Sequence, residues 1–229
     1  MRSLLTPFRL AVLATCALLW AAPPAHAQSL LFDYVGFDYE FANPNPAAFG
    51  ELGSGYVGLG TVPFLFAPIV ANTTLNEYTM VIQGMTPSSI TPVGTFNIIQ
   101  YTPGTLTIFE DSKAGGTPAD FAPNPPNAAV PATFADGTAI VVGTLTGFQF
   151  VIDTVNGTGS FEADLNITGG TQLSNFPLNQ REGWTFSGST SNALNIPPGY
   201  AHQLDGQSFL NAPTAARRIS WGRLKAGYR

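Results

Sequence analysis

The stretch "GFQFVIDTVNGTGSFEADLNI", residues 147–167, decides the reading of the fold. At its centre, Asn156-Gly157 is a strong hairpin signal, because both residues tolerate positive φ and the turn twist then matches the flanking strands. A two-residue loop would set Val155 opposite Thr158. Ile152 would then face Phe161, Phe150 would face Ala163, and Phe148 would face Leu165. On the other side, Asp153, Val151 and Gln149 would meet Ser160, Glu162 and Asp164. One face is apolar and the other mostly polar, which is the period of two expected of half-buried strands. A slip of one residue would mix the faces. The stretch therefore reads as the wall of a sandwich or barrel.

Working outward, strand-like runs recur between turn signals near 29–40, 55–61, 75–84, 93–101, 104–111, 137–153, 158–168, 183–189 and 200–210. No stretch of the body keeps a helical period over ten or more residues. A second hairpin is expected over 94–111, turning at Pro103-Gly104, with apolar residues on both faces. Residues 112–132 hold five prolines and form a long loop of the kind that is usually functional or mobile. These features predict an all-β fold. The leading expectation is an antiparallel two-sheet β-sandwich, jelly-roll-like, with Gly/Pro-rich loops.

The first residues set the compartment. Arg2 and Arg9 precede the apolar run Leu10 to Trp20, and Ala25-His26-Ala27 fits a small-x-small cleavage pattern. This is the layout of a secretory signal peptide over 1–27, expected as a helix ahead of the domain. The expected organisation is then one β-domain over 28–210 and a linker with a basic tail over 211–229. The expected location is outside the cell or on its surface after Sec-type export, with the periplasm as an option. Cys16 is the single cysteine and lies in the leader, so the mature chain must fold without disulfides. After the leader, the longest apolar run, 62–71, is too short to cross a membrane as a helix and holds two prolines.

Charge is unevenly distributed. Residues 28–216 hold two Lys/Arg and all fourteen Asp/Glu, a formal −12, whereas 217–229 hold five Lys/Arg and no acid. An acidic body argues against nucleic acid as a partner. The tail residues Arg217, Arg218, Trp221, Arg223, Lys225, Tyr228 and Arg229 combine cations with aromatic groups. Such a segment suits a sorting or attachment role, an anionic surface, or the acidic body itself.

Residues with chemical potential are few. His202 is the one histidine beyond the leader, with Tyr200 and Asp205 close by in sequence. A Ser-His-Asp triad would have to use it, but no G-x-S-x-G elbow is present. Tyr200, His202, Asp205 and Trp184 are the candidate ligand-binding residues. Trp184 alternates within a strand and so weighs toward the core. Tyr34, Tyr39 and Tyr56 stand with Tyr200 as candidate surface aromatics. No zinc-ligand spacing occurs, and no cofactor is implied. Calcium is a minority option, resting on Glu110, Asp111, Asp120, Asp136 and Asp153 near strand ends. The leading functional expectation is a non-enzymatic surface or extracellular protein with a structural or adhesive role. A carbohydrate-binding module for surface polysaccharide comes second, and a small hydrolase third.

Overall fold

The computed structural model describes residues 29–45, 49–121, 131–192 and 195–210. Its strands are β1 (Ser29–Phe41), β2 (Gly55–Leu65), β3 (Asn76–Met85), β4 (Pro87–Val93), β5 (Phe96–Tyr101), β6 (Gly104–Ser112), β7 (Thr138–Asp153), β8 (Thr158–Gly169), β9 (Trp184–Ser191) and β10 (His202–Leu210). All pairings are antiparallel, and the order β7-β6-β3-β2-β1-β10-β9-β8 returns to β7. The sheet therefore closes on itself as an eight-stranded up-and-down barrel. The expected two-sheet sandwich, with its jelly-roll connections, is not formed. Alternating half-buried strands serve both architectures. What separates them is the pairing of β1 with β10, between residues far apart in the chain. The expected leader helix and the basic tail lie outside the described residues.

The hairpin of residues 147–167 exists, but with another register. Asp153 pairs with Thr158 and Phe150 with Phe161, two residues off the expected alignment. The cause is Asp153, whose carboxylate accepts bonds from the Val155 N–H (2.9 Å) and the Asn156 side chain (2.7 Å). This draws Thr154 and Val155 into a four-residue loop, a form usually built around a type I turn. A shift of two residues leaves every side chain on its expected face. The second expected hairpin is absent. β5 pairs with β4 and β7, whereas β6 pairs with β3 and β7. β6 and β5 thus lie end to end along one edge of β7, β6 covering Thr138–Leu145 and β5 covering Gln149–Asp153. The changeover falls where β7 slips register against β8 between Thr146 and Gln149, at Gly147 with its φ of 63°. Pro103-Gly104 is a joint between two strands rather than a turn. β4 is left as the sheet's free edge, with Pro87 and Pro92 in it. Proline at an edge blunts pairing with another chain.

The interior is filled with rings. Phe32, Tyr34, Tyr56, Phe148, Phe150, Phe161 and Phe186 are at most 4% exposed, with neighbouring ring centroids 5.4–6.4 Å apart. Eight strands enclose a lumen that side chains can just fill. Glycines make room for the largest rings. A Cβ on Gly60 or Gly206 would lie 2.9 or 2.8 Å from the Tyr34 ring, and one on Gly188 would lie 2.4 Å from Phe161.

The outer wall has two characters. Across β8, β9 and β10 it presents Ser160, Glu162, Asp164, Ser189, Asp205 and Gln207, all exposed. This apolar-in, polar-out wall is the reverse of the lipid-facing band of a membrane barrel. Across β1, β2 and β3, Tyr39, Val57, Leu59 and Val81 are buried beneath Phe134 and Phe121. Part of the long Pro-rich segment is thus a cover over a second, external core. The Thr79 hydroxyl donates to the Phe134 carbonyl (2.9 Å), and the Ala119 N–H donates to Glu77 (2.8 Å).

Candidate functional site

One end of the barrel, the mouth, is where β1 finishes and β10 begins; the opposite end, the base, holds Ser29 and Leu210. The inward-facing row of β1 runs from Tyr34 through Gly36 to Asp38 and Glu40, and so passes from aromatic to acidic as it reaches the mouth. Asp38 is fully buried and pairs across the seam with His202. The His202 Nδ1–H donates to Asp38 Oδ1 (3.0 Å), and the His202 backbone N–H donates to the same oxygen (2.8 Å). The carboxylate fixes the tautomer with the proton on Nδ1. Burial pulls the imidazole pKa down, but the Asp38 charge and hydrogen bond, with Glu40 adding to them, more than reverse this, and the net shift is upward.

Glu40 lies one inward position further on and is 7% exposed. Its carboxylate accepts the Gly50 N–H (2.9 Å) and the Asn43 side-chain N–H (2.8 Å). Burial pushes it up to about 7, against the lowering effect of the Gly50 bond. The segment Phe49–Ser54 folds over this pair. The Phe49 ring stands at 87° to the imidazole with centroids 4.5 Å apart, and it also touches Phe150 and Tyr56. Gly50 has a φ of 85°, and a Cβ there would lie 2.3 Å from Ile99 Cδ1, so only glycine fits. Around the pair, the hydroxyls of Tyr34, Tyr101 and Thr190 are buried without a hydrogen-bond partner among the described residues.

The expected site residues do not converge. His202 opens β10 and is buried inside the mouth. Tyr200 packs on the outer wall against Phe37, Tyr39 and Phe121. Burial raises its hydroxyl to about 12, with Tyr39 and Asp120 adding to the shift. Asp205 is exposed on the outer wall. Trp184 is 1% exposed at the base, its Nε1–H donating to the Gln180 carbonyl (2.7 Å). Tyr34, Tyr39 and Tyr56, expected at the surface, are each at most 1% exposed. Among the described residues, no three His, Cys, Asp or Glu side chains gather to hold a metal ion. Sequence reasoning missed Asp38 and Glu40. The only signal was their inward parity with Tyr34 in "DYVGFDYE", 33–40, and they lie 164 and 162 residues from His202 in the chain.

A second feature lies outside. Asp33, Ser187, Ser189, Asp205 and Gln207 line a shallow groove of about 310 Å³ across β1, β10 and β9, floored by Gly188 and Gly206. Burial and the neighbouring Asp205 charge raise the Asp33 pKa. Comparison of the chain with protein-family models, with curated proteins and with solved structures gave no match.

Proposed function

We propose that the chain is an exported, non-enzymatic β-barrel of the cell surface or extracellular space, with a structural or adhesive role. The observation that carries this reading is the ring-filled interior, sealed at the mouth by Phe49. The histidine–carboxylate pair is walled off from solvent, and no Ser or Thr hydroxyl bonds to His202 among the described residues. That pair acts as a seam between β1 and β10. Side chains open to a partner lie on the outer wall and the loops. No helix among the described residues is long and apolar enough to cross a membrane. The basic residues 217–229 serve to place the barrel on its target surface.

The test is fractionation of the native host expressing the full chain or a chain stopped at Ala216. The expected result is a surface-bound full chain and a released or retained truncated one. Identical distribution of the two, with the tail intact, would remove placement by the tail. Turnover of any substrate that is abolished by His202→Ala would remove the non-enzymatic reading.

A carbohydrate-binding role is the second reading, favoured by the outer groove with its two carboxylates, two hydroxyls and one amide. Equilibrium binding to a polysaccharide panel checks it. Asp205→Asn is expected to weaken any binding at least about tenfold, the loss of a charge-assisted bond. Binding to no glycan, or binding untouched by the substitution, removes this site.

A further inference from the structure

We propose that the segment Phe49–Ser54 is a pH-responsive strap, which seals the barrel mouth in mildly acidic solution and lifts from it as the pH rises above neutral. The geometry supports this first. The strap's inward attachments are the Gly50 N–H on the Glu40 carboxylate and the Phe49 ring on His202, Phe150 and Tyr56, whereas the Ser54 hydroxyl donates within the strap to the Glu51 carbonyl (2.7 Å). Outward it holds little, since Leu52 is 55% exposed and a Cβ on Gly53 would meet nothing within 4 Å. Gly50 and Gly53 have φ of 85° and 96°, and glycine at both positions leaves a backbone that can swing at low cost. Two of the strap's anchors, the Glu40 carboxylate and the imidazole under Phe49, are titratable.

The surroundings set the direction. Facing the pair are Asp38 and Tyr34 from β1, Tyr56 from β2, Tyr101 from β5 and His202 from β10. β7 contributes the uncharged Phe150. The strap's own Glu51 bonds outward to Asn45, and Asp153 is bound within the β7–β8 loop. The two described cations, Lys113 and Arg181, bond at the base, to Thr73, and to Phe176 and Leu173. Loss of the Glu40 proton therefore adds a negative charge to the sealed space, and loss of the His202 proton removes the positive charge that offsets Asp38 there, with Lys113 and Arg181 both at the other end. Burial holds Glu40 up to about 7, so its loss falls around neutrality, and Asp38 moves the His202 loss upward from its usual range. Lifting the strap hydrates the carboxylate. Below neutrality Glu40 is protonated, its burial costs little, and its carbonyl oxygen still accepts the Gly50 N–H.

Hydrogen exchange of the full chain, corrected for intrinsic rates, tests the strap at about pH 5.5 and about pH 8.5. Protection of Phe49–Ser54 is expected to fall roughly tenfold or more between the two, while the β8–β9 wall remains the better protected at the higher value. In Glu40→Gln the fall should shrink to the part that His202 carries. Equal protection of the wild-type strap at both pH values would overturn the proposal, whether or not the variant folds. A fall of the same size in Glu40→Gln would overturn the role of Glu40.

Discussion

The mouth and the base of the barrel each carry an inward glutamate, and the two are held in opposite ways. At the mouth, Glu40 is nearly fully buried among Asp38 and His202, so the end is closed over ionisable groups. At the base, Glu110 is half-buried and accepts bonds from the Tyr78 hydroxyl (2.6 Å) and the Asn76 side chain, both neutral donors. Trp184 and Phe176 close the base by packing, and Arg181 spends its N–H groups on the carbonyls of Phe176 and Leu173. The fold thus separates two tasks. Neutral packing at the base carries stability, and buried charge at the mouth ties stability to pH.

The sharpest way to break that division is Trp184→Ala. The ring is 1% exposed and its N–H is bonded, so its removal leaves a cavity and an unpaired Gln180 carbonyl. The expected loss is about 4 kcal/mol, read from urea unfolding. A loss under about 1 kcal/mol would mean that the base does not carry the fold.

Next in size is the pH dependence of the mouth. Glu40 titrates in the fold at about 7 rather than 4.5, so the folded state holds its proton more tightly than the unfolded chain does. Stability therefore falls as the pH rises from about 4.5 to about 7 and stays lower beyond, by at most about 3 kcal/mol. His202 acts in the same sense. Its folded pKa is raised, so its contribution is complete below the unfolded value near 6.5 and is lost as the pH rises through the folded one. The thermal midpoint should be higher at about pH 5.5 than at about pH 8.5. Glu40→Gln should raise stability at the higher pH by up to about 3 kcal/mol and change little at the lower one. A midpoint that rises with pH would contradict the arrangement at the mouth.

The two ends also differ in how far the sequence discloses them. Every strand of the barrel wall was legible as a strand-like run between turn signals, because composition, breakers and, in β7 and β8, a period of two are local properties of each run. Closure was not, because it rests on β1 meeting β10, and nothing in either strand names its partner. The Pro103-Gly104 joint misled for the same reason: proline and glycine mark a break in a strand without saying whether the chain reverses. Asn156-Gly157 gave the hairpin but not its loop, since the Asp153 side chain competes for the turn's N–H groups. Trp184 weighed correctly toward the core from its alternation. His202 was visible as a rarity, but its partners came from the far end of the chain. Tyr34 was misplaced because a tyrosine in a barrel can bury its ring where glycines on neighbouring strands, here Gly60 and Gly206, leave space, a pairing the sequence does not show.

The smallest expected effect sharpens the base. The Tyr78 hydroxyl donates to Glu110 and accepts the Asn72 N–H (2.7 Å), so it links β3, β6 and the loop before β3. Tyr78→Phe keeps the ring and removes both bonds. Both former partners lie in partly buried positions that water reaches, so hydration offsets most of the loss. Urea unfolding should show a loss of about 1 kcal/mol, with nearly the same value at about pH 5.5 and about pH 8.5. The comparison with Glu40→Gln is then direct, since one substitution shifts stability equally at both pH values and the other shifts it at one. If the Tyr78→Phe loss differed between them by more than about 1 kcal/mol, the base would share the titration of the mouth. The division of labour between the two ends would then fail at the point where it is most easily measured.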